Sequence, residues 1–298
     1  MSEVTTRPEV SVVIASFNER NAIEACLASL ERQKTSTPFE VILIDSSSDG
    51  TDAVAQRFAF VRVRHFTDRR YCGHARNEGL ALAHGDIIAF LDADCFVDSD
   101  WIEAIVHAHQ SPHLAVGGVI ENGKPESLLA WAYYFSEFNL WLPRLTICEI
   151  PQMAGCALSI KRRAFEQYGP FLEGTYCSDT AFHWRMAYDG HRILFVPGIR
   201  VFHTVRYDLR GFLRHVVEHR RAFAAVTARE KHFSTAKRGA AALGTAFLPL
   251  LLFPLIAWRV VRSRVHVRQF VLSSPVVFLG VLARAWGEFL GYKNRRTR

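Results

Sequence analysis

Gly85-Asp86-Ile87-Ile88-Ala89-Phe90-Leu91-Asp92-Ala93-Asp94 runs an apolar segment straight into two carboxylates. A short continuous apolar run bounded by Gly and Asp reads as a strand buried on both faces, the kind found where helices cover a parallel sheet. Residues 10–15, 39–44 and 61–65 have the same character, and with 86–91 they make four such runs. Between them, 21–33 places Ile23, Cys26, Leu27 and Leu30 at helical spacing, 52–58 is a shorter turn-rich helix, and 72–83 is a third. Three successive βαβ units follow, and right-handed crossovers put the C-terminal strand ends along one edge, where α/β proteins hold ligands. The expected fold class is α/β, a mostly parallel sheet with flanking helices. Further on, the pattern predicts a helix over 101–109, a strand over 114–120, an aromatic-rich stretch over 128–142, a strand over 157–160, helices over 162–168 and 179–188, and a short strand over 193–196.

The chain has 298 residues, 49% of them apolar, which is enough for a substantial core and excludes disordered, collagenous and small disulfide-stapled classes. Its net charge of +7 is unevenly spread: residues 1–199 carry 17 Lys and Arg against 25 Asp and Glu, whereas 200–298 carry 19 against 4. An acidic body followed by a basic region argues against a nucleic-acid partner. The six cysteines lack the paired spacing of a zinc or redox motif and read as reduced core thiols. The polar start, 1–8, has no basic-then-apolar pattern of a secretory signal, so the body is expected in the cytoplasm.

Asp92 and Asp94 stand at the binding edge, two residues apart. Two carboxylates plus a diphosphate suffice to hold a hard divalent cation, although a solvated acidic turn has the same sequence. The first strand ends in Ala15-Ser16-Phe17-Asn18-Glu19 and the second in Asp45-Ser46-Ser47-Ser48-Asp49-Gly50-Thr51. Small and hydroxylated residues there leave room for a planar base. Asp45 can accept from a nucleobase imide or a ribose hydroxyl, or cap the next helix. Gly73 to Gly79 opens the third helix, where backbone N–H groups and Arg76 can meet phosphate, or simply start the helix.

In order along residues 11–203, these segments resemble the glycosyltransferases of family 2 with the GT-A fold, in particular membrane-associated bacterial members: 11–19, then 39–41 leading to Asp45 and Asp49-Gly50-Thr51, then Ala75-Arg76-Asn77-Glu78-Gly79, then Gly85-Asp86 before Phe90-Leu91-Asp92-Ala93-Asp94. The resemblance implies a nucleotide-diphosphate sugar donor, a UDP-, GDP- or dTDP-sugar, lying over Ala15, Ser16, Asn18, Glu19, Asp45, Arg76, Asp92 and Ala93. It implies Mn2+ or Mg2+ at Asp92 and Asp94, and a general base at Asp179, in Cys177-Ser178-Asp179-Thr180, where Ser178 replaces the usual Glu. Arg185, Gly190, Pro197 and His203 complete the pattern, His203 being either a third metal or phosphate contact or a structural histidine. The implied reaction is inverting transfer to an acceptor hydroxyl. A sugar-phosphate nucleotidyltransferase would share the sheet, but the chain lacks a Gly-rich loop with nearby Arg and Lys after the first strand. A catalytically inactive membrane scaffold is the non-enzymatic alternative, prompted by Ser178.

The expected domains are a catalytic body over 1–204, a basic amphipathic helical segment over 205–238 and a membrane-associated hairpin with a basic tail over 239–298. Residues 239–258 are uncharged and mostly apolar, the length of a membrane helix, while the run 269–283 is shorter and holds Pro275. Arg259, Arg262, Arg264 and Arg268 between them disfavour two spans, because short basic loops stay cytoplasmic. A re-entrant or interfacial hairpin on the cytoplasmic face of the cell membrane avoids the conflict. A basic helix on anionic membrane lipids would then serve a membrane-proximal or lipid-linked acceptor.

Overall fold

Each of the four apolar runs is a strand. In the computed structural model, which describes residues 7–143, 146–205 and 207–294, these are β1 (Val10–Ser16), β2 (Phe39–Asp45), β3 (Val61–His65) and β4 (Ile87–Asp92). The helices α1 (Ile23–Glu31), α2 (Thr51–Ala55) and α3 (Cys72–Leu82) connect them. All three pairings are parallel, in the order β3-β2-β1-β4, and the register sets Ser16 opposite Asp45, Asp45 opposite His65, and Ala15 opposite Asp92. Four strand ends therefore share one edge. Position 1–6, Arg206 and the basic tail at 295–298 lie outside the described residues.

Beyond β4 the sheet turns antiparallel at β8. After β5 (Cys95–Val97), α4 (Trp101–His109), β6 (Ala115–Asn122), α5 (Leu128–Phe138) and β7 (Cys148–Ile150) come β8 (Leu158–Lys161), α6 (Arg162–Tyr168), α7 (Ser178–Tyr188) and β9 (Ile193–His203). β8 pairs antiparallel with β4 and with β6, and the order continues β8-β6-β9-β5, with β7 also on β9. The pattern over 193–196 predicts a short strand; β9 continues to His203. β7 pairs with Ile193 to Phe195 and β5 with Val201 to His203, so neither of these two ladders needs an N–H at Pro197.

Of the described residues, those within 1–121, 144–174 and 178–203 form one compact unit, and those within 122–143, 175–177 and 204–298 another. The stretch 122–143, read from sequence as part of the catalytic body, thus packs with the C-terminal helices. In the first unit Phe90, Phe165, Phe171 and Phe182 meet in edge and tilted contacts against the sheet, with Trp101 fully buried nearby in sequence on α4. Gly79 lets α3 settle on β1, since a Cβ there would lie 2.3 Å from Val13 Cγ1.

The second unit holds α5 with α8 (Leu209–Glu230), α9 (Thr235–Gly244), α10 (Leu248–Ser263) and α11 (Val267–Lys293). The aromatic stretch is α5, and its Trp131, Tyr134 and Phe135 are buried, with Phe135 edge-on to Phe270 at 5.2 Å and Trp131 4.6 Å from the His266 ring. Gly287 and Gly291 of α11 face α8 so closely that a Cβ would meet the Val217 and Arg221 carbonyl oxygens at 2.5 and 2.3 Å.

Gly79→Ala is expected to lower the chemical-denaturation stability by about 1–3 kcal/mol through overpacking on Val13. Gly239→Ala, on a helix with nothing within 4 Å, is expected to leave it unchanged or raise it by up to about 1 kcal/mol.

Candidate active site

Two loops at the shared edge are laced together before any ligand arrives. Asn18, at φ +60°, accepts the Ser48 N–H on Oδ1 at 2.9 Å, and its own N–H donates to Ser47 Oγ at 2.7 Å. The Glu19 N–H donates to Thr51 Oγ1 at 3.0 Å. Ala15 is half-buried, and Ser16 is buried with a hydroxyl that finds no protein partner. Asp45 is fully buried: its carboxylate accepts from the Ser47 hydroxyl at 2.5 Å, the Ser47 N–H at 3.2 Å and the His65 ring at 2.7 Å.

Asp92 closes β4, and the turn at Ala93 and Asp94 leads into β5, with Ala93 buried beneath it. Arg76, one turn into α3, is 4% exposed and donates from Nη2 to Asp92 Oδ1 at 2.9 Å. Gly155 makes the room, for a Cβ there would meet the guanidinium at 2.3 Å. Asp179, in the first turn of α7, accepts the Gly155 N–H at 2.8 Å and the Thr180 N–H at 2.7 Å. Burial works against the Arg76 charge, yet Asp92, with Cys72 and Asp179, holds that charge more firmly than usual. Asp92 and Asp179, 87 positions apart in the chain, are thus neighbours of one buried cation.

Asp94 and His203 come together through register: Cys95 pairs with His203, and Asp94 Oδ2 lies 3.4 Å from His203 Nε2. Burial first, and Asp92 after it, raise the Asp94 carboxyl above its ordinary range against the opposing pull of His203. Ligand atoms of Asp94, Cys95 and His203 fall within 4.8 Å of one another. Excess negative potential beside an oxygen and a nitrogen donor fits a divalent cation.

Sequence reasoning did not single out His65, Gly155 or His183. His65 was legible as a strand end, but its partner depends on register. His183, one turn after Asp179, is buried and pushed down to about 4 by desolvation and by Arg76, against Asp179. Ser178 is fully buried, and a Cβ on Gly73 would lie 2.8 Å from its own Cβ, so α3 and α7 touch there.

Residues 11–169, more than half of the chain, match the family described as Glycosyl transferase family 2. Glycosyltransferase AglE of Haloferax volcanii is 29% identical over 211 residues, 68% of this chain and 69% of that protein. Glucosyl-dolichyl phosphate glucuronosyltransferase of the same organism is 28% identical over 186 residues, 56% of this chain and 57% of that one. Among solved structures, the mannosyltransferase PcManGT from Pyrobaculum calidifontis, in complex with GDP-Man and Mn2+, superposes with a TM-score of 0.60 at 22% identity, over 97% of this chain and 85% of that one. That likeness establishes the GT-A-like fold. The relatives include archaeal proteins, so the likeness is not confined to bacterial members.

A histidine kept neutral by burial loses stability on acidification, because the unfolded chain takes up a proton that the folded one refuses. Stability is expected to fall between pH 6.5 and about 4 as the unfolded His183 protonates. His183→Phe should flatten that part of the profile; urea midpoints for both proteins across this range, compared pairwise, isolate His183.

Proposed function

The chain belongs to glycosyl transferase family 2, and from that membership we propose that it moves a sugar from a nucleotide-diphosphate donor to a hydroxyl of a membrane-borne acceptor, with inversion at the anomeric carbon. The observation that carries this reading is the placing of Asp92 and Asp179 beside the buried Arg76, with Asp94 next to both Asp92 and His203, at the C-terminal edge of the sheet. Donor diphosphate belongs at that edge, and a UDP-, GDP- or dTDP-sugar fits the small residues at the ends of β1 and β2.

Asp94 and His203, with Asp92, would hold Mn2+ or Mg2+, whose chemistry is to neutralise the charge gathering on a departing diphosphate. Arg76 fixes Asp92 from beneath and adds positive potential that water cannot screen. Asp179 has both oxygens oriented by backbone N–H groups, which leaves its remaining lone pairs to take the proton of an acceptor hydroxyl. One carboxylate on the acceptor side supports direct displacement, hence inversion.

The membrane part of the proposal rests on the second unit. Thr235–Ser263 and Val267–Lys293 are long and apolar enough to cross a membrane, with mean hydropathies of 2.1 and 1.6 over an 18-residue window of each, and Leu250, Leu251, Trp258 and Leu272 are more than half exposed. Their packing favours a hairpin lying in the interface. The tip is held by α5, where Arg259 donates to Asn139 Oδ1 at 2.5 Å and His266 rests on Trp131. From Gly280 onward α11 is lined by α8, whose Phe212 approaches Gly280. The 13 residues from 267 to 279 reach only about 20 Å, short of a hydrocarbon core of about 30 Å. Arg210, Arg214 and Arg221 are exposed within 40° of one another on α8, a stripe suited to anionic headgroups. Six free cysteines and the basic connector support the cytoplasmic face.

With Mn2+ and the cognate donor, Asp179→Asn and Asp94→Asn are each expected to lower kcat by at least about a hundredfold, read by release of nucleoside diphosphate. Equal turnover in both variants and the wild type would defeat the assignment. Separately, the full chain should float with vesicles containing anionic lipid, and Arg214→Glu combined with Arg221→Glu should weaken that binding about tenfold or more; flotation at several salt concentrations checks it.

A further inference from the structure

The outward half of the Asp45–His65 pair has no part in the reading above. We infer that His65, oriented by Asp45, reads the donor nucleobase, and that the base it selects is one carrying a ring N–H on its pairing edge: uracil, thymine or guanine. This rests on the proposed nucleotide-sugar function.

Three observations carry it. The parallel register sets His65 directly beside Asp45 at the ends of β3 and β2, the edge where the nucleotide belongs. The Asp45 side chain has no exposed surface, so a base cannot reach its carboxylate, whereas the His65 side chain is 33% exposed. Finally, the hydrogen-bond inventory fixes the ring. A carboxylate only accepts, and Asp45 already accepts from the Ser47 N–H and hydroxyl, so His65 Nδ1, 2.7 Å away, carries the hydrogen of that contact. In the neutral ring Nε2 then holds a lone pair.

A ring acceptor at that place discriminates by chemistry. Uracil and thymine present N3–H and guanine presents N1–H, whereas adenine and cytosine present a lone pair at the equivalent ring nitrogen and would repel it. Asp45 is therefore a positioning residue acting through His65. Asp52 offers a carboxylate within 4.8 Å of the same pair.

The test is equilibrium titration of the full chain, with Mn2+ at pH 8, against UDP, dTDP, GDP, ADP, CDP and inorganic pyrophosphate. The wild type should bind at least one of UDP, dTDP and GDP about tenfold or more tightly than ADP and CDP. His65→Ala should weaken that preferred nucleotide about tenfold and leave pyrophosphate unchanged. His65→Gln, which keeps an acceptor oxygen, should recover part of the preference, and circular dichroism confirms that both variants fold. If His65→Ala binds with the same affinity and the same base preference, or if the wild type prefers ADP or CDP, the inference is wrong while the transfer function stands. A wild type that binds no nucleoside diphosphate removes both.

Discussion

A guanidinium that is 4% exposed has to be surrounded by acids, and the active edge of this protein is organised by that requirement. Arg76 meets Asp92 at 2.9 Å and shares its surroundings with Asp179, so the end of β4 and the start of α7 are pinned to one point on α3. The desolvation cost of such an ion is several kcal/mol and is recovered only where the geometry is tight. Gly155 supplies that tightness by omitting a side chain where the guanidinium lies, and its N–H orients the Asp179 carboxylate at the same time. One residue thereby sets the position of both the buried cation and the candidate base.

The second unit meets the same problem in a different way. Glu137 of α5 is buried against Arg220 at 2.6 Å and His219 at 3.3 Å, both on α8. Although burial opposes ionisation, these cations hold the Glu137 carboxyl far below its usual range, and Cys177 and Glu137 raise His219 to about 10 despite its own desolvation. Arg220 and His219 of α8 are thus committed to Glu137, while Arg210, Arg214 and Arg221 are exposed. The apolar stripe of α8, with Phe212, Val216, Ala224 and Val226, is buried and so is not offered to a bilayer. The helix lends the unit electrostatics, and the apolar surface comes from α10 and α11.

Much of the parallel half was legible because consecutive apolar runs and helical spacing are local signals. The four strands β1 to β4 begin within a residue of where the pattern puts them, and right-handed crossovers dictate which ends line up. What lay beyond reach was everything set by pairing between distant segments. The pattern gives β9 four residues, whereas it runs for eleven; its partners β5 and β7 are themselves three residues long. His203 acquires its place beside Asp94 only through that ladder. For the aromatic helix α5, core packing is the commoner reading of such a composition, beside sugar stacking or membrane contact, and its Trp131, Tyr134 and Phe135 are buried; which elements it packs with was not legible. For Asp45 the sequence indicated an acid at the right edge, but its complete burial behind Ser47 and His65 follows from register, which no periodicity encodes.

Ser178 illustrates how a local departure is absorbed. Family resemblance puts Glu before the candidate base, and a lost carboxylate beside a catalytic residue would ordinarily argue for a dead site. Yet Ser178 is fully buried at the start of α7 against Gly73 at the start of α3, so close that a Cβ on Gly73 would meet the Leu172 carbonyl at 2.0 Å and Ser178 Cβ at 2.8 Å. A Glu at 178 would need space that this close contact does not leave. The small pair instead draws α3 and α7 together at their first turns. Arg76 lies three residues beyond Gly73 and Asp179 one beyond Ser178, so the approach of these two helices is what brings the cation and the base into reach of each other.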